Sequence, residues 1–207
     1  MSDRLFAMES RQRDDAELDA DSAEPDETPT SQWEEFRIDF AIHGRSVKNP
    51  AVWAMGVYRL GRWSLAQPRG PARWVSSKLY GALFAASRFL TGVHMDRTCT
   101  LGRGVHLIHC EAPISIHPRA VIGDRVGIMH NVTIGETPDG GVPTIGNDVF
   151  IGVGAVILGK VTVGDGAQIA ANSLVISDVP PNHIAVGVPA RVYPSIDTKR
   201  KPKPAVN

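Results

Sequence analysis

Hydrophobic positions in the second half of this chain recur every six residues. An aliphatic side chain or Met stands at Met95, Leu101 and Leu107, then at Ile116, Ile122, Ile128 and Ile134. The series resumes at Ile145, Ile151, Ile157, Val163, Ile169 and Val175. Four places later comes a second apolar or small residue: Cys99, Val105, Ala120, Val126, Val132, Val149, Ala155, Val161, Ala167, Ser173 and Val179. Glu111 and Pro138 break this second series where the count slips, by three residues before Ile116 and by five before Ile145. A six-residue period predicts a parallel β-helix, in which each hexad is a short strand plus a corner and three hexads close one triangular coil. Thirteen hexads make about four coils. Small residues follow the aliphatic ones at Gly102, Gly123, Gly135, Gly146, Gly152, Gly164 and Ala170. They are expected at tight corners, where Gly takes backbone angles that other residues avoid.

The phase of the period places two histidines together. His109 lies two residues after Leu107 and His130 two residues after Ile128, three hexads further on. One full coil separates them, so they are expected to stand one above the other with backbones about 4.8 Å apart. The same line continues through Val153 and Ala171, both small enough to leave a groove. Both slips border this region. A solenoid expels extra residues outward, and such loops often line a binding face. The second of them is the insertion 136–141, Glu-Thr-Pro-Asp-Gly-Gly. The alternative is a pair of exposed histidines on a β-helix wall. On position alone, His94, His106, His117 and His183 are structural or merely exposed. Cys110 follows His109 directly and points the opposite way on an extended segment, and Cys99 holds an inward position. Two cysteines without metal-ligand spacing suit a reducing compartment, and a cytoplasmic protein is expected.

The rest of the chain divides by composition. Residues 1–31 carry ten acidic and three basic side chains and lack a periodic apolar pattern, which predicts a disordered acidic arm. The arm does not read as a secretory signal. Residues 32–207 hold 19 basic and 12 acidic side chains, so the zero net charge of the whole hides a cationic body. That excess suits an anionic, phosphate-bearing ligand or simply a solvated surface. Residues 32–92 read as a helical N-terminal region: Pro50 and Pro71 each open an apolar run, and a shorter helix spans about Trp33 to Ile42. These helices are expected to cap the open end of the β-helix or to pack between subunits. Loose membrane contact is the other reading, because Arg59, Arg62, Arg69, Arg73 and Lys78 flank the apolar faces. No apolar run approaches the ~20 residues of a spanning helix. The β-helix is expected over 93–193, followed by a basic flexible tail, 194–207.

From Thr91 to Tyr193 the chain resembles the serine acetyltransferase family of hexapeptide acyltransferases. The resemblance rests on Leu-Gly-Arg-Gly-Val-His-Leu-Ile-His (101–109), Val-Thr-Ile-Gly (132–135), Ile-Gly-Val-Gly-Ala-Val-Ile-Leu-Gly (151–159) and Gly-Val-Pro-Ala-Arg-Val (187–192). It implies a left-handed β-helix, at least a homotrimer, and acetyl-CoA in a groove between neighbouring coils. It also implies that His109 is the catalytic base and that Gly135, Val153 and Ala171 lie along the cofactor groove. Arg191 and Lys201 are implied near the phosphates of CoA. Four positions depart from the family. Its base-orienting acid aligns with His94, leaving Asp96 as the nearby carboxylate, so these two are the candidate acceptor-binding residues. The acid before the base is Ile108. The family's second histidine and its serine-binding arginine align with Val142 and Gly141. His130 is the candidate replacement for that histidine.

The implied activity is acetyl-CoA-dependent O-acetylation of a hydroxyl, nominally that of L-serine, with a sugar in surface-polysaccharide synthesis as the alternative acceptor. A hydroxyl attacks a thioester poorly unless a base removes its proton, and a histidine suits that task. Backbone N–H groups near Gly135 are the expected oxyanion donors. Two other classes stay open: a zinc lyase resembling the gamma carbonic anhydrases, and a non-catalytic β-helix scaffold. No two histidines here have the five-residue separation of those zinc ligands, so no metal is expected.

Overall fold

The computed structural model describes residues 31–195 except Glu111. The acidic arm up to residue 30, the tail from 196 and Lys201 therefore lie outside the described residues. Helix α1 (Gln32–Ile42) starts in a capping box: Glu34 N–H donates to Ser31 Oγ, and Ser31 N–H donates to Glu34 Oε2. Helix α2 (Pro50–Ala66) starts on Asn49, whose side chain accepts from Ala51 N–H at 3.0 Å, with Pro50 in the first turn. Helix α3 (Pro71–Thr91) again begins with proline and stops at Gly92, whose φ of 69° is left-handed. A buried ion pair joins α1 to α2, Arg59 Nε standing 2.8 Å from Asp39 Oδ2. Burial pushes the Asp39 carboxyl above its ordinary value, and the guanidinium pulls it partly back.

The hexads then wind into three parallel walls. The first wall stacks β1 (Val93–Met95), β4 (Ile114–Ile116), β7 (Thr133–Gly135), β10 (Val156–Leu158) and β13 (Leu174–Val175). The second stacks β2 (Thr100–Leu101), β5 (Val121–Ile122), β8 (Thr144–Ile145) and β11 (Thr162–Val163). The third stacks β3 (His106–Ile108), β6 (Gly127–Met129), β9 (Phe150–Ile151), β12 (Gln168–Ile169) and β14 (His183–Gly187). An antiparallel strand, β15 (Ala190–Pro194), pairs with β14 and ends the third wall. Leu107 pairs with Ile128, Ile128 with Ile151, and Ile151 with Ile169, which is the predicted three-hexad step. All the residues of both six-residue series that were named as apolar or small are buried. Pro138 is exposed, in the loop where the count slips. The result is a left-handed parallel β-helix of about four coils with helices at its N-terminal end.

The corner glycines owe their place to something other than backbone angle. Gly102, Gly123, Gly146, Gly152 and Gly164 all lack the positive φ that was expected of them. What excludes a side chain is the neighbouring coil: a Cβ on Gly152 would sit 2.7 Å from Ala171 N, and one on Gly146 2.3 Å from Asp165 Oδ1. At the corner between the second and third walls the coils also share a ladder of side-chain acceptors. Arg103 N–H donates to Asp124, Asp124 N–H to Asn147, and Asn147 N–H to Asp165.

A β-helix leaves the edge of its first coil without a partner coil, and the helical region supplies side chains that both give and accept a hydrogen bond. Tyr58 Oη donates to Cys99 C=O at 3.0 Å and accepts from Leu101 N–H at 3.1 Å. Burial pushes the Tyr58 hydroxyl up to about 12, so it stays protonated for this role. Tyr80 Oη accepts from Arg97 N–H, and His43 Nε2 accepts from Leu107 N–H at 3.0 Å. Removing one such hydroxyl leaves a buried donor and acceptor unpaired. Tyr58→Phe is therefore expected to destabilise the fold by about 1–3 kcal/mol in urea denaturation.

Within one chain, helix α3 does not turn its apolar run onto the β-helix as a cap would. Its buried residues are Ser76, Tyr80, Ser87 and Thr91. The apolar residues Trp74, Val75, Leu79, Leu83, Phe89 and Leu90 are exposed.

Candidate active site

The two histidines stack as the phase requires. Both lie at the corner where the third wall turns into the first, and their rings meet edge to face with centroids 6.2 Å apart. His109 is exposed and makes no hydrogen bond among the described residues, whereas His130 is half-buried. The Nδ1 of His130 is buried without a hydrogen-bond partner. Directly above, Gly154 N–H donates to His130 C=O, and Asn172 N–H donates to Val153 C=O. The line His109, His130, Val153, Ala171 thus climbs one edge of the coil.

His109 is also where the chain departs from the repeat. In the next three coils the left-handed residue of this corner is Asn131, Gly154 or Asn172, the third after the aliphatic position. In the first coil it is His109, the second after Leu107, with φ of 55°. The turn is made one residue early, and the extra residues of the first slip leave from it. Non-glycine residues rarely adopt this conformation, though His, Asn and Asp do so more than others. Such residues gather at functional sites.

Helix α1 supports this edge from below. Strand β3, which leads into His109, is the outer strand of the third wall. Its Leu107 N–H is taken by His43 Nε2, and His43 Nδ1 donates to Asp39 C=O at 2.7 Å. Both nitrogens of His43 are thereby engaged, and the neutral ring is required. Its ring packs against His106 at 5.1 Å. Burial foremost, then the neighbouring His43 and His109, push His106 below its ordinary 6.5. Where a folded-state value is lowered, the unfolded chain binds the proton first. Stability is expected to fall as pH drops through about 6.5 and to level off below the folded value. A His106→Asn variant should lack that part of the slope in thermal melts between pH 5 and 8.

The other predicted residues assemble elsewhere. His94, Asp96 and Gly135 line an open cavity of about 340 Å³ on the outer side of the first wall. Phe84 and Arg88 of α3, together with Ser115, Ile116, His117, Pro118 and Ile134, complete it. Gly135 ends β7, at the far edge of the first wall from His109, and so does not adjoin the base within one chain. Asp96 is occupied at its own corner, accepting from Thr98 and from the Tyr80 hydroxyl. The second insertion leaves at this far edge and is held down there. His117 Nε2 lies 3.0 Å from Glu136 Oε2, and Arg119 binds both Glu136 and Gly140 C=O. Arg119 N–H donates to His117 Nδ1, so both ring nitrogens are engaged and His117 acts as a clamp. Arg191 is exposed in the terminal β14–β15 hairpin. Cys110 is buried in the core, as is Cys99, whose thiol burial pushes up to about 12. The described residues hold no cluster of three or more His, Cys, Asp or Glu side chains arranged for a metal ion.

Residues 143–177 match the family described as bacterial transferase hexapeptide (six repeats). The chain is 36% identical over 146 residues to the serine acetyltransferase of Mycobacterium tuberculosis, covering 69% of this chain and 60% of that one. It superimposes on soybean serine acetyltransferase complexed with serine at a TM-score of 0.63 and 30% identity, covering 85% of this chain and 73% of that one. This chain belongs to the serine acetyltransferase family. Serine acetyltransferase in complex with coenzyme A, from Brucella abortus strain S19, matches at a TM-score of 0.64 and 27% identity, covering 80% and 67%. The chain spans less than two-thirds of the length of the Mycobacterium serine acetyltransferase.

Proposed function

We propose that this protein transfers the acetyl group of acetyl-CoA to the hydroxyl of L-serine, with His109 as the general base. The observation that carries the reading is an exposed imidazole, held on a left-handed turn at a slip in the repeat and stacked on a second imidazole, in a chain of this family. Support for the two substrates comes from relatives described as complexed with serine and with coenzyme A.

The edge above His130 fits a narrow extended ligand, since Val153 and Ala171 continue that line without bulk and His130 Nδ1 is unpaired. Those residues, with Arg191, would hold the cofactor. Bound acetyl-CoA would supply an activated carbonyl. Neutral His109 takes the proton of the acceptor hydroxyl as its oxygen attacks, and returns it to the departing sulfur. His130 packs the base in place. Positioned proton transfer of this kind contributes about 10²- to 10⁴-fold.

The separation of the two groups of residues along one wall supports a homotrimer. Setting the His109 edge of one copy against the Gly135 edge of the next would bring base, cofactor line and the cavity with His94 into one site. Sedimentation equilibrium is expected to give about three times the chain mass of 22.3 kDa.

The test is an acceptor screen. Free thiol released from acetyl-CoA is followed with L-serine, hydroxyl-bearing sugars and nucleotide sugars, and each product is weighed by mass spectrometry. L-serine should give the highest kcat/KM and a product heavier by one acetyl group. Preference for a sugar would reassign the acceptor, and release with none of them would remove the activity.

A further inference from the structure

We infer that α2 and α3 form a surface that docks on anionic phospholipid, holding the protein flat against a bilayer. Two independent features meet on these helices. The first is charge. From Phe40 to Met95 the chain has no Asp or Glu, yet it carries Arg45, Lys48, Arg59, Arg62, Arg69, Arg73, Lys78 and Arg88. Arg59 is neutralised inside by Asp39 and Glu35. None of the other seven forms an ion pair among the described residues.

The second is the reversed amphipathicity of α3. This helix buries a stripe of hydroxyl-bearing residues and turns its apolar face outward: Trp74 is 65% exposed, Phe89 91% and Leu90 76%. Trp53 and Trp63 of α2 are exposed as well. Lys78 lies 6.0 Å over the Trp74 ring and Arg88 5.6 Å over the Phe84 ring, so cations border the apolar residues. Exposed aromatics flanked by Lys and Arg, without acids, are the composition of helices that lie in a membrane interface. No described helix is long and apolar enough to cross a membrane, so contact along the surface is the mode left to these two.

Charge decides between occupants. A second copy docking isologously through this face would set Arg62, Arg73, Lys78 and Arg88 of α2 and α3 against the same four cations, whereas the headgroups of an anionic bilayer complement them. Arg88 also lines the cavity that holds His94 and Asp96, and Phe89 lines the adjoining one, so the surface runs up to the candidate site.

The full chain is tested by co-sedimentation with vesicles of phosphatidylcholine alone and with phosphatidylglycerol added. Binding to the anionic vesicles should exceed binding to the neutral ones by about tenfold and weaken steeply with added salt. Phe89→Ser with Leu90→Ser, and separately Arg73→Glu with Lys78→Glu, should each lower anionic binding about tenfold. Unchanged circular dichroism spectra and melting temperatures would keep misfolding from imitating that loss. Equal binding to both vesicle types, or none to either, overturns the inference. Lipid-free self-association abolished by the Phe89 and Leu90 changes also overturns it, by assigning the face to a second copy.

Discussion

Replacing His109 with Ala is expected to lower kcat for acetyl transfer by about 10²- to 10⁴-fold, the usual worth of a positioned general base. KM for both substrates should change little, because the imidazole acts on the hydroxyl proton and holds neither substrate in place. The backbone at this residue is left-handed, with φ of 55°, so Ala adds a conformational cost of its own. His109→Asn separates the two effects, since Asn tolerates that turn and supplies no base. Equal losses of kcat in both variants, with an unchanged melting temperature for Asn, are the expected pattern. Turnover of either variant within a few-fold of the unaltered chain would remove His109 from the chemistry.

The second large effect lies in the column behind the histidines. Ile128 is fully buried, pairs with Leu107 below and Ile151 above, and precedes His130 by two residues. Truncation to Ala opens a cavity that the stacked coils close only partly, because each coil is fixed by hydrogen bonds to both neighbours. The expected loss is about 2–5 kcal/mol. For a folded region of this size that lowers the melting temperature by roughly 4–20 °C. Differential scanning calorimetry checks it, and a shift under one degree would contradict the packed column. A matching change at exposed Ile176, Ile176→Ala, should move the melting temperature by a degree or two at most.

The repeat made the coils legible because the inward position is fixed by geometry: an aliphatic residue every sixth place has only one way to stack. Leu107, Ile128, Ile151 and Ile169 fall in one column for that reason, and His109 and His130 follow two residues behind. The same arithmetic holds one residue after the first-wall positions. There it stacks Asp96, His117 and Gly135, whose shared cavity was therefore also written in the phase. Glu136 was visible as the start of an insertion, but its grip on His117 and Arg119 depends on how the loop folds back.

The corner glycines were predicted for the wrong physical reason, since close approach between coils leaves no trace in a single hexad. The helices were marked by Pro50, Pro71 and their apolar runs, but not the direction those runs would face. Periodicity identifies an apolar stripe, and the usual assumption turns it inward. In α3 the neighbouring groups are the Ser64 hydroxyl and the corner around Asp96 and Arg97, so Ser76, Ser77 and Tyr80 meet them instead.

The most direct test is a crystal structure with coenzyme A and L-serine bound. The account predicts the serine hydroxyl within about 2.6–3.2 Å of an imidazole nitrogen of His109. It further predicts the thiol end of the cofactor beside the same ring, and Val153 and Ala171 along the cofactor arm. Serine bound out of reach of His109, or coenzyme A lying on the second wall, would contradict it.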